Sequence, residues 1–155
     1  MLKVGDTAPD IALRTDSGDE FRLSGLKGKR VVLYFYPKAD TPGCTTEACE
    51  FRDDFRKFSK KGAVVVGISP DKPAAQGKFR QKYELPFSLL ADEDKTAANA
   101  FGVWKEKNMY GRKVMGIERS TFVIGPDGKI ENIYGKVKAK GHAAKSPRRP
   151  LDSSP

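Results

Sequence analysis

The chain has 155 residues, of which 38% are apolar and 32% charged, and its formal net charge is +9. This length and composition predict one globular domain and exclude a disordered chain. No apolar run approaches the roughly 18 residues of a membrane-spanning helix, and residues 1–6 lack the apolar segment of a secretory signal. Two cysteines, Cys44 and Cys49, are too few for a disulfide-stapled secreted scaffold. We therefore expect a cytoplasmic protein with no membrane partner and a redox-active cysteine pair.

The positive charge is concentrated near the end of the chain. Residues 136–149 hold six Lys or Arg and no acidic residue, which leaves 23 basic against 20 acidic residues elsewhere. Nucleic-acid sites interleave aromatic side chains with basic ones, and this run does not. We therefore expect a solvated tail and no nucleic-acid partner.

The first half of the chain predicts a strand, a helix and a second strand. Residues 31–36 and 63–69 are apolar runs rich in β-branched and aromatic residues, as in strands that are covered on both faces. Between them, three phenylalanines recur at i, i+4 and i+7 on one face of a predicted helix: Phe51, Phe55 and Phe58. Gly62 is expected to end that helix. A crossover of this length implies that the two strands are parallel.

The other patterns predict further elements around this unit. Polar turns between short apolar runs indicate two β-hairpins, with short helices and a short strand between them. In chain order these are a hairpin over 11–15 and 20–23, a helix over 73–83, a strand over 87–90, a helix over 96–101 and a hairpin over 119–124 and 129–134. Together they predict an α/β, thioredoxin-like fold with a mixed central β-sheet.

The end of the chain lacks a pattern for the helix that would cover the last strand. Residues 142–155 contain three prolines and almost no apolar residues, which disfavours a long helix. We expect a domain over 1–137 and a basic, irregular tail over 138–155. His142 lies in this tail, and one His with two Cys five residues apart is poor zinc spacing, so we expect no metal or other cofactor.

Cys44 lies where a loop turns into the phenylalanine-bearing helix. Thiol chemistry uses the thiolate, which the N–H groups and the dipole of a helix N-terminus favour. Gly43 lets the backbone pack beside the sulfur, and Pro42 can shield one side. If the substrate of such a thiolate is a peroxide, the site also needs groups that orient the O–O bond and stabilise the leaving oxygen. Candidates are the Thr41 hydroxyl, the Cys44 N–H and the guanidinium of Arg119.

Each of these residues has a plainer interpretation. Thr41 could be only a helix cap, Arg119 a surface arginine and Glu47 a first-turn helix charge. Cys49 could be a small buried apolar residue. Two other functions stay open, a thioredoxin-like disulfide reductase and a non-catalytic protein that binds nucleic acid through the basic tail. The first would need Cys-x-x-Cys, whereas four residues separate these cysteines.

The segment around Cys44 resembles the peroxiredoxin active-site pattern of Pro37, three residues, Thr41, two residues and Cys44. Residues 34–53, which include Cys49, are similar to the bacterioferritin comigratory protein, or Q-type, subfamily of peroxiredoxins. The resemblance spans roughly residues 3 to 137, with further matches at 4–9, 67–71, 101–104 and 119–122. It fails after about His142, where the family usually has a C-terminal helix.

The resemblance implies a thioredoxin-like fold and a mainly monomeric thiol peroxidase of antioxidant defence. Its substrates would be hydrogen peroxide and organic hydroperoxides, and its usual reductant a thioredoxin-type dithiol. Cys44 would form a sulfenic acid, Cys49 would resolve it as a disulfide, and Thr41 and Arg119 would act beside the sulfur. The expected substrate-pocket residues are Pro37, Pro42 and Gly43.

Resolution by Cys49 sets a geometric requirement. Cys49 follows Cys44 by five residues, which in an ideal α-helix separates their Cα atoms by roughly 8.7 Å. A disulfide tolerates about 6.8 Å at most. We therefore expect the helix to unwind between the two cysteines whenever the bond forms.

Overall fold

The structure is a computed structural model that describes residues 2–60, 62–109 and 111–134. The predicted tail over 138–155, which includes His142, lies outside these residues. The prediction that a long C-terminal helix is disfavoured falls on the same part of the chain. Within the described part of the chain, no helix has the length and apolarity needed to cross a membrane. The helices are α1 (Pro42–Asp53), α2 (Phe55–Lys60), α3 (Pro73–Lys82) and α4 (Thr96–Ala100), with a 3-10 turn at Leu23–Leu26. The strands are β1 (Ala12–Thr15), β2 (Glu20–Arg22), β3 (Arg30–Phe35), β4 (Ala63–Ser69), β5 (Ser88–Ala91), β6 (Trp104–Met109), β7 (Arg112–Ile117), β8 (Ser120–Ile124) and β9 (Ile130–Tyr134).

Seven strands form one mixed sheet in the order β2-β1-β5-β4-β3-β8-β9. Strands β3 and β4 are parallel, which confirms the prediction made from the length of their crossover. Strands β1 and β2 form the N-terminal hairpin, and β8 and β9 form the last hairpin with an irregularity between Val123 and Ile124. The thioredoxin-like α/β fold class is therefore confirmed.

Strand β3 is buried on both faces, as its apolar run predicts. Its side chains alternate between two core clusters, because successive residues of a strand point to opposite faces. One cluster contains side chains of α4, and the other contains side chains of α1 and α3. The β3 members of the first cluster are Val31, Leu33 and Phe35, and those of the second, continuing just past the strand, are Val32, Tyr34 and Tyr36. The chain thus leaves the middle of the sheet directly before the loop that carries Thr41.

The single helix predicted between the two parallel strands is interrupted. Asp54, with φ −94° and ψ 5°, separates α1 from α2, and its carbonyl accepts the N–H of Lys57 in a tighter i to i+3 turn. Phe51 is fully buried and Phe55 is half-buried, whereas the side chain of Phe58 lies outside the described part. Gly62 has φ +73°, the left-handed conformation that suits glycine after a helix.

Strands β6 and β7 form a separate antiparallel hairpin that the sequence patterns did not predict. The apolar and polar residues of this segment do not alternate, and Val114 and Met115 are adjacent yet both exposed. A strand pair with little buried face lacks the period-two signal by which strands are recognised. The hairpin ends two residues before Arg119.

An aromatic layer lies between the sheet and α1. The Tyr34 ring stacks on Phe51 of α1, with 4.5 Å between centroids, and on Tyr36 at 5.4 Å. Tyr34 pairs with Gly67 across β3 and β4, and its ring lies over that glycine. A Cβ atom at position 67 would stand 2.8 Å from the ring carbon Cζ and 2.9 Å from a methyl of Leu89. A glycine at position 67 therefore allows the Tyr34 ring to lie against the sheet. Tyr34 belongs to the same core cluster as Cys44.

Candidate active site

Cys44 is the third residue of α1 and is 1% exposed. The preceding Thr41 has an extended backbone, and the first helical hydrogen bond runs from the Thr45 N–H to the Thr41 carbonyl at 2.8 Å. The N–H groups of Gly43 and Cys44 therefore have no acceptor within the helix. Together with the helix dipole, these donors make the start of α1 favourable for an anionic sulfur.

Arg119 brings a guanidinium to the Cys44 sulfur. Its Nη2 donates to Cys44 Sγ at 3.2 Å, and its Nη1 donates to Glu47 Oε1 at 2.7 Å. The strand register explains the contact, because Ser120, the next residue, pairs with Phe35 at the carboxyl end of β3. With a side chain only 16% exposed, Arg119 is not an ordinary surface arginine. Burial lowers the pKa of Arg119, but Glu47 and the sulfur outweigh this and raise it, so the guanidinium stays charged.

Glu47 completes this cluster, and its interpretation as an ordinary first-turn helix charge is wrong. Its side chain is fully buried, and burial raises the pKa of Glu47 to about 7 although Arg119 acts to lower it. Spaced three residues apart, Cys44 and Glu47 lie on one face of α1, so Arg119 reaches both. The three-residue spacing was the sequence signal that could have placed Glu47 at the site, but it did not reveal that the Glu47 side chain is buried. Glu47 holds one arm of the guanidinium while the other arm faces the sulfur.

The Thr41 hydroxyl has a local partner. It donates to the Lys38 carbonyl at 2.8 Å and makes no capping hydrogen bond to α1. Because its proton points at that carbonyl, the hydroxyl oxygen keeps its lone pairs for another donor. Thr41 is thus suited to accept a hydrogen bond from an O–H group, not to donate one to a leaving oxygen.

The other residues expected at the site lie on the same segment. Pro37 follows β3 and Pro42 begins α1, and both are exposed, whereas Gly43 is half-buried. Cys49 is half-buried within the unbroken helix α1, and both cysteines are free thiols. The ideal helical separation of roughly 8.7 Å is too long for a disulfide in this state.

The site contains no feature of a metal centre. Over residues 2–60, 62–109 and 111–134, no three His, Cys, Asp or Glu side chains come together as metal ligands. The chemistry that the described residues support is nucleophilic attack by a thiolate beside a guanidinium and helix N–H donors.

A buried thiol at a helix N-terminus, contacted by a guanidinium on a thioredoxin-like sheet, is an arrangement that suits a thiol peroxidase. The chain belongs to the AhpC/TSA family, whose family model matches residues 4–133. It is 50% identical over 145 residues to peroxiredoxin Bcp of Bacillus subtilis, covering 94% of this chain and 92% of that protein. The resemblance to the Bcp, or Q-type, peroxiredoxins is thereby confirmed.

Solved structures of Q-type peroxiredoxins have the same fold. A cysteine-to-serine variant of peroxiredoxin Q from Xanthomonas campestris matches with a TM-score of 0.91 and 38% identity, covering 99% of this chain and 98% of that one. The bacterioferritin comigratory protein of the same organism, described for its alkyl peroxide reduction activity, matches with a TM-score of 0.90 and 38% identity, covering 98% and 97%. The chain is therefore a peroxidase of the oxidoreductase class.

Proposed function

We propose that Cys44 is the nucleophile of this peroxidase and that Cys49 resolves the oxidised product. The Cys44 thiolate attacks one oxygen of a hydroperoxide, so that an S–O bond forms and the O–O bond breaks. The leaving oxygen departs as an alkoxide or hydroxide and takes a proton from water. Cys44 is oxidised to a sulfenic acid, and the peroxide is reduced to an alcohol or water.

The observation that carries this proposal is the 3.2 Å contact between Arg119 Nη2 and Cys44 Sγ. The guanidinium favours the ionised sulfur before attack and lies where negative charge develops on the leaving oxygen. The N–H groups of Gly43 and Cys44 are further donors, and the Thr41 oxygen can accept the hydrogen bond of the peroxide O–H. The exposed Pro37 and Pro42 would border the approach to this loop.

Resolution requires the first turns of α1 to unwind. The Cys49 thiol attacks the Cys44 sulfenic sulfur, releases water and forms a Cys44–Cys49 disulfide. Since both cysteines lie in one continuous helix, the bond forms only after residues between them leave the helical conformation. A thioredoxin-type dithiol then reduces the disulfide. We propose further that the enzyme is a cytoplasmic monomer whose domain spans 1–137, with 138–155 dispensable for peroxide reduction.

The test is peroxide-dependent oxidation of a thioredoxin system by wild type, Cys44→Ser and Cys49→Ser. Cys44→Ser should lose all turnover because it lacks the nucleophile. Cys49→Ser should consume one equivalent of peroxide and then fail to cycle with thioredoxin. The disulfide of oxidised wild type, mapped by mass spectrometry, should join Cys44 to Cys49.

Each alternative gives a different result. Full activity of Cys44→Ser would overturn the assignment of the nucleophile. Normal thioredoxin-supported cycling by Cys49→Ser would show that Cys49 is only a half-buried apolar residue. A Cys44–Cys49 disulfide with the first turns of α1 intact would overturn the unwinding step.

A further inference from the structure

The turn between β3 and α1 is held by a hydrogen-bond network from another part of the chain. Asp71 Oδ2 accepts the Ala39 N–H at 2.7 Å and the Ser69 hydroxyl at 2.6 Å. The Ser69 oxygen accepts from Gln76 Nε2 at 2.8 Å, and Gln76 Oε1 accepts the Tyr36 hydroxyl at 2.5 Å. The network therefore holds the turn at two points, Tyr36 by its side chain and Ala39 by its backbone.

Most of this network is shielded from water. Tyr36 and Gln76 have no exposed surface, and Ser69 is 1% exposed. Gln76 Nε2 also donates to the Leu90 carbonyl at 2.8 Å, which ties the network to β5. A buried polar group that loses its partner is costly, so these groups are strongly held in one arrangement.

A second contact holds the same turn from α3. Asp40 has φ +58°, a left-handed conformation that is unfavourable for a residue other than glycine. Its carboxylate accepts hydrogen bonds from Lys82 Nζ at 3.0 Å and from the Tyr83 hydroxyl at 2.9 Å. The turn before Thr41 thus adopts a strained backbone that neighbouring elements hold in place.

We propose that Asp71 is a positioning residue for peroxide reduction, and this rests on the proposed roles of Cys44 and Thr41. Asp71 fixes the Ala39 amide, and Ala39 directly follows Lys38, whose carbonyl accepts the Thr41 hydroxyl. The position of that carbonyl sets the direction in which the Thr41 oxygen presents its lone pairs to a peroxide. Asp71 therefore acts through the backbone of the turn and not on the sulfur.

The experiment compares two reactions of the same sulfur in reduced, full-length protein. One is oxidation by hydrogen peroxide, measured by competition with a reference peroxidase. The other is alkylation by iodoacetamide, which needs an accessible thiolate and no oriented O–O bond. In Asp71→Ala the ratio of the two rate constants should fall about tenfold, since a small misplacement of an orienting group is enough for such a loss.

Asp71→Asn is the conservative variant, because its amide oxygen can accept the same two hydrogen bonds. It should restore the ratio to near the wild-type value. The matched control is Asp16→Ala. Asp16 Oδ1 likewise accepts a backbone N–H, that of Leu89 at 3.1 Å, and its carboxylate pairs with Arg80 of α3 at 3.2 Å. Its loss should lower stability and leave the ratio unchanged.

If circular dichroism shows that Asp71→Ala does not fold, Tyr36→Phe replaces it as the test variant. It removes the hydroxyl at the other end of the network and keeps the ring, and it should lower the ratio by a smaller factor. An unchanged ratio in the folded Asp71→Ala variant, or in Tyr36→Phe if Asp71→Ala does not fold, would overturn the proposal. An Asp71→Asn variant as impaired as Asp71→Ala would overturn the role given to hydrogen-bond acceptance. A wild type that reacts no faster than free cysteine would overturn the proposed function itself.

Discussion

Two helices of this fold begin in different ways. Before α4, the Asp92 carboxylate accepts the N–H groups of Ala97 at 3.0 Å and Ala98 at 2.9 Å. These are the second and third residues of that helix, so a built-in carboxylate occupies the donors at its start. The positive end of α4 is used to stabilise the fold.

The corresponding donors of α1 belong to Gly43 and Cys44. Thr41 occupies the capping position, but its hydroxyl turns back to the Lys38 carbonyl. The side chain that lies at the positive end of α1 is that of Cys44, and Arg119 donates to its sulfur. The difference teaches that a helix start without a side-chain cap can serve a reacting group, at some expense of local stability.

The largest expected effect comes from removing the cation at α1. Arg119→Met should lower the second-order rate constant for hydrogen peroxide by about 10²- to 10³-fold, as for the loss of one oxyanion donor. Stopped-flow oxidation of the reduced protein measures this. The matched control is Arg30→Met, because Arg30 pairs with Glu131 at 2.6 Å at the opposite end of β3. That variant should lose stability but keep its rate, and an unchanged rate in Arg119→Met would contradict the comparison.

A second expected effect is a pH dependence of stability that comes from Glu47. Burial raises the pKa of Glu47 from 4.5 to about 7, so between these values the folded protein binds a proton that the unfolded chain has lost. This contribution favours folding at low pH and disappears as the pH rises through 7. As the pH rises from about 4.5 to about 8, the unfolding free energy of wild type should therefore fall by about 2 to 3 kcal/mol relative to that of Glu47→Gln, which has no carboxylate to titrate at this position.

Urea unfolding of both proteins across this range is the measurement. Asp92→Ala is the control for loss of a buried carboxylate, because it removes the one that caps α4 and leaves the Glu47–Arg119 pair in place. Wild-type and Glu47→Gln stabilities that change in parallel with pH would show that Glu47 does not titrate in this interval.

The smallest expected effect comes from giving α1 the cap that α4 has. In Thr41→Asp a carboxylate should accept the N–H groups at the helix start and oppose the negative charge of the thiolate. The peroxide rate constant should fall about tenfold while α1 becomes more stable. Thr41→Ser, which keeps a hydroxyl, should stay near wild type. Asp92→Ala should lose about 1 kcal/mol of stability with no change in rate. A Thr41→Asp enzyme of normal rate would show that the uncapped start is irrelevant to the chemistry.

Sequence predicts the strands that are buried on both faces and the two hairpins of the seven-stranded sheet that polar turns mark. Strands β3 and β4 are continuous apolar runs, and their parallel pairing follows from the length of chain between them. Among the described side chains of the β6–β7 hairpin only Ile117 is buried, so no periodic pattern marks it. The break at Asp54 was missed for the opposite reason, because the periodic phenylalanine spacing runs through it.

The predicted part of the site depends on local spacing. Thr41 and Cys44 are three residues apart in a recognisable motif, and Arg119 was a candidate guanidinium whose role beside the sulfur the resemblance implied. Glu47 and Asp71 were missed because their surroundings come from distant parts of the chain. Glu47 meets a guanidinium 72 residues away, and Asp71 meets a backbone amide 32 residues away. A carboxylate looks the same in sequence whether water or a buried cation surrounds it.

The contact between Tyr34 and Gly67 constrains how this protein can vary. A side chain at position 67 would collide with the Tyr34 ring, which lies between β4 and Phe51 of α1. A ring displaced away from β4 would press on Phe51 of α1, the helix that carries Cys44. A neutral mutational path that fills position 67 must therefore first shrink position 34 and move the Leu89 methyl that also faces position 67, so positions 34, 67 and 89 are expected to covary among functional descendants of this chain.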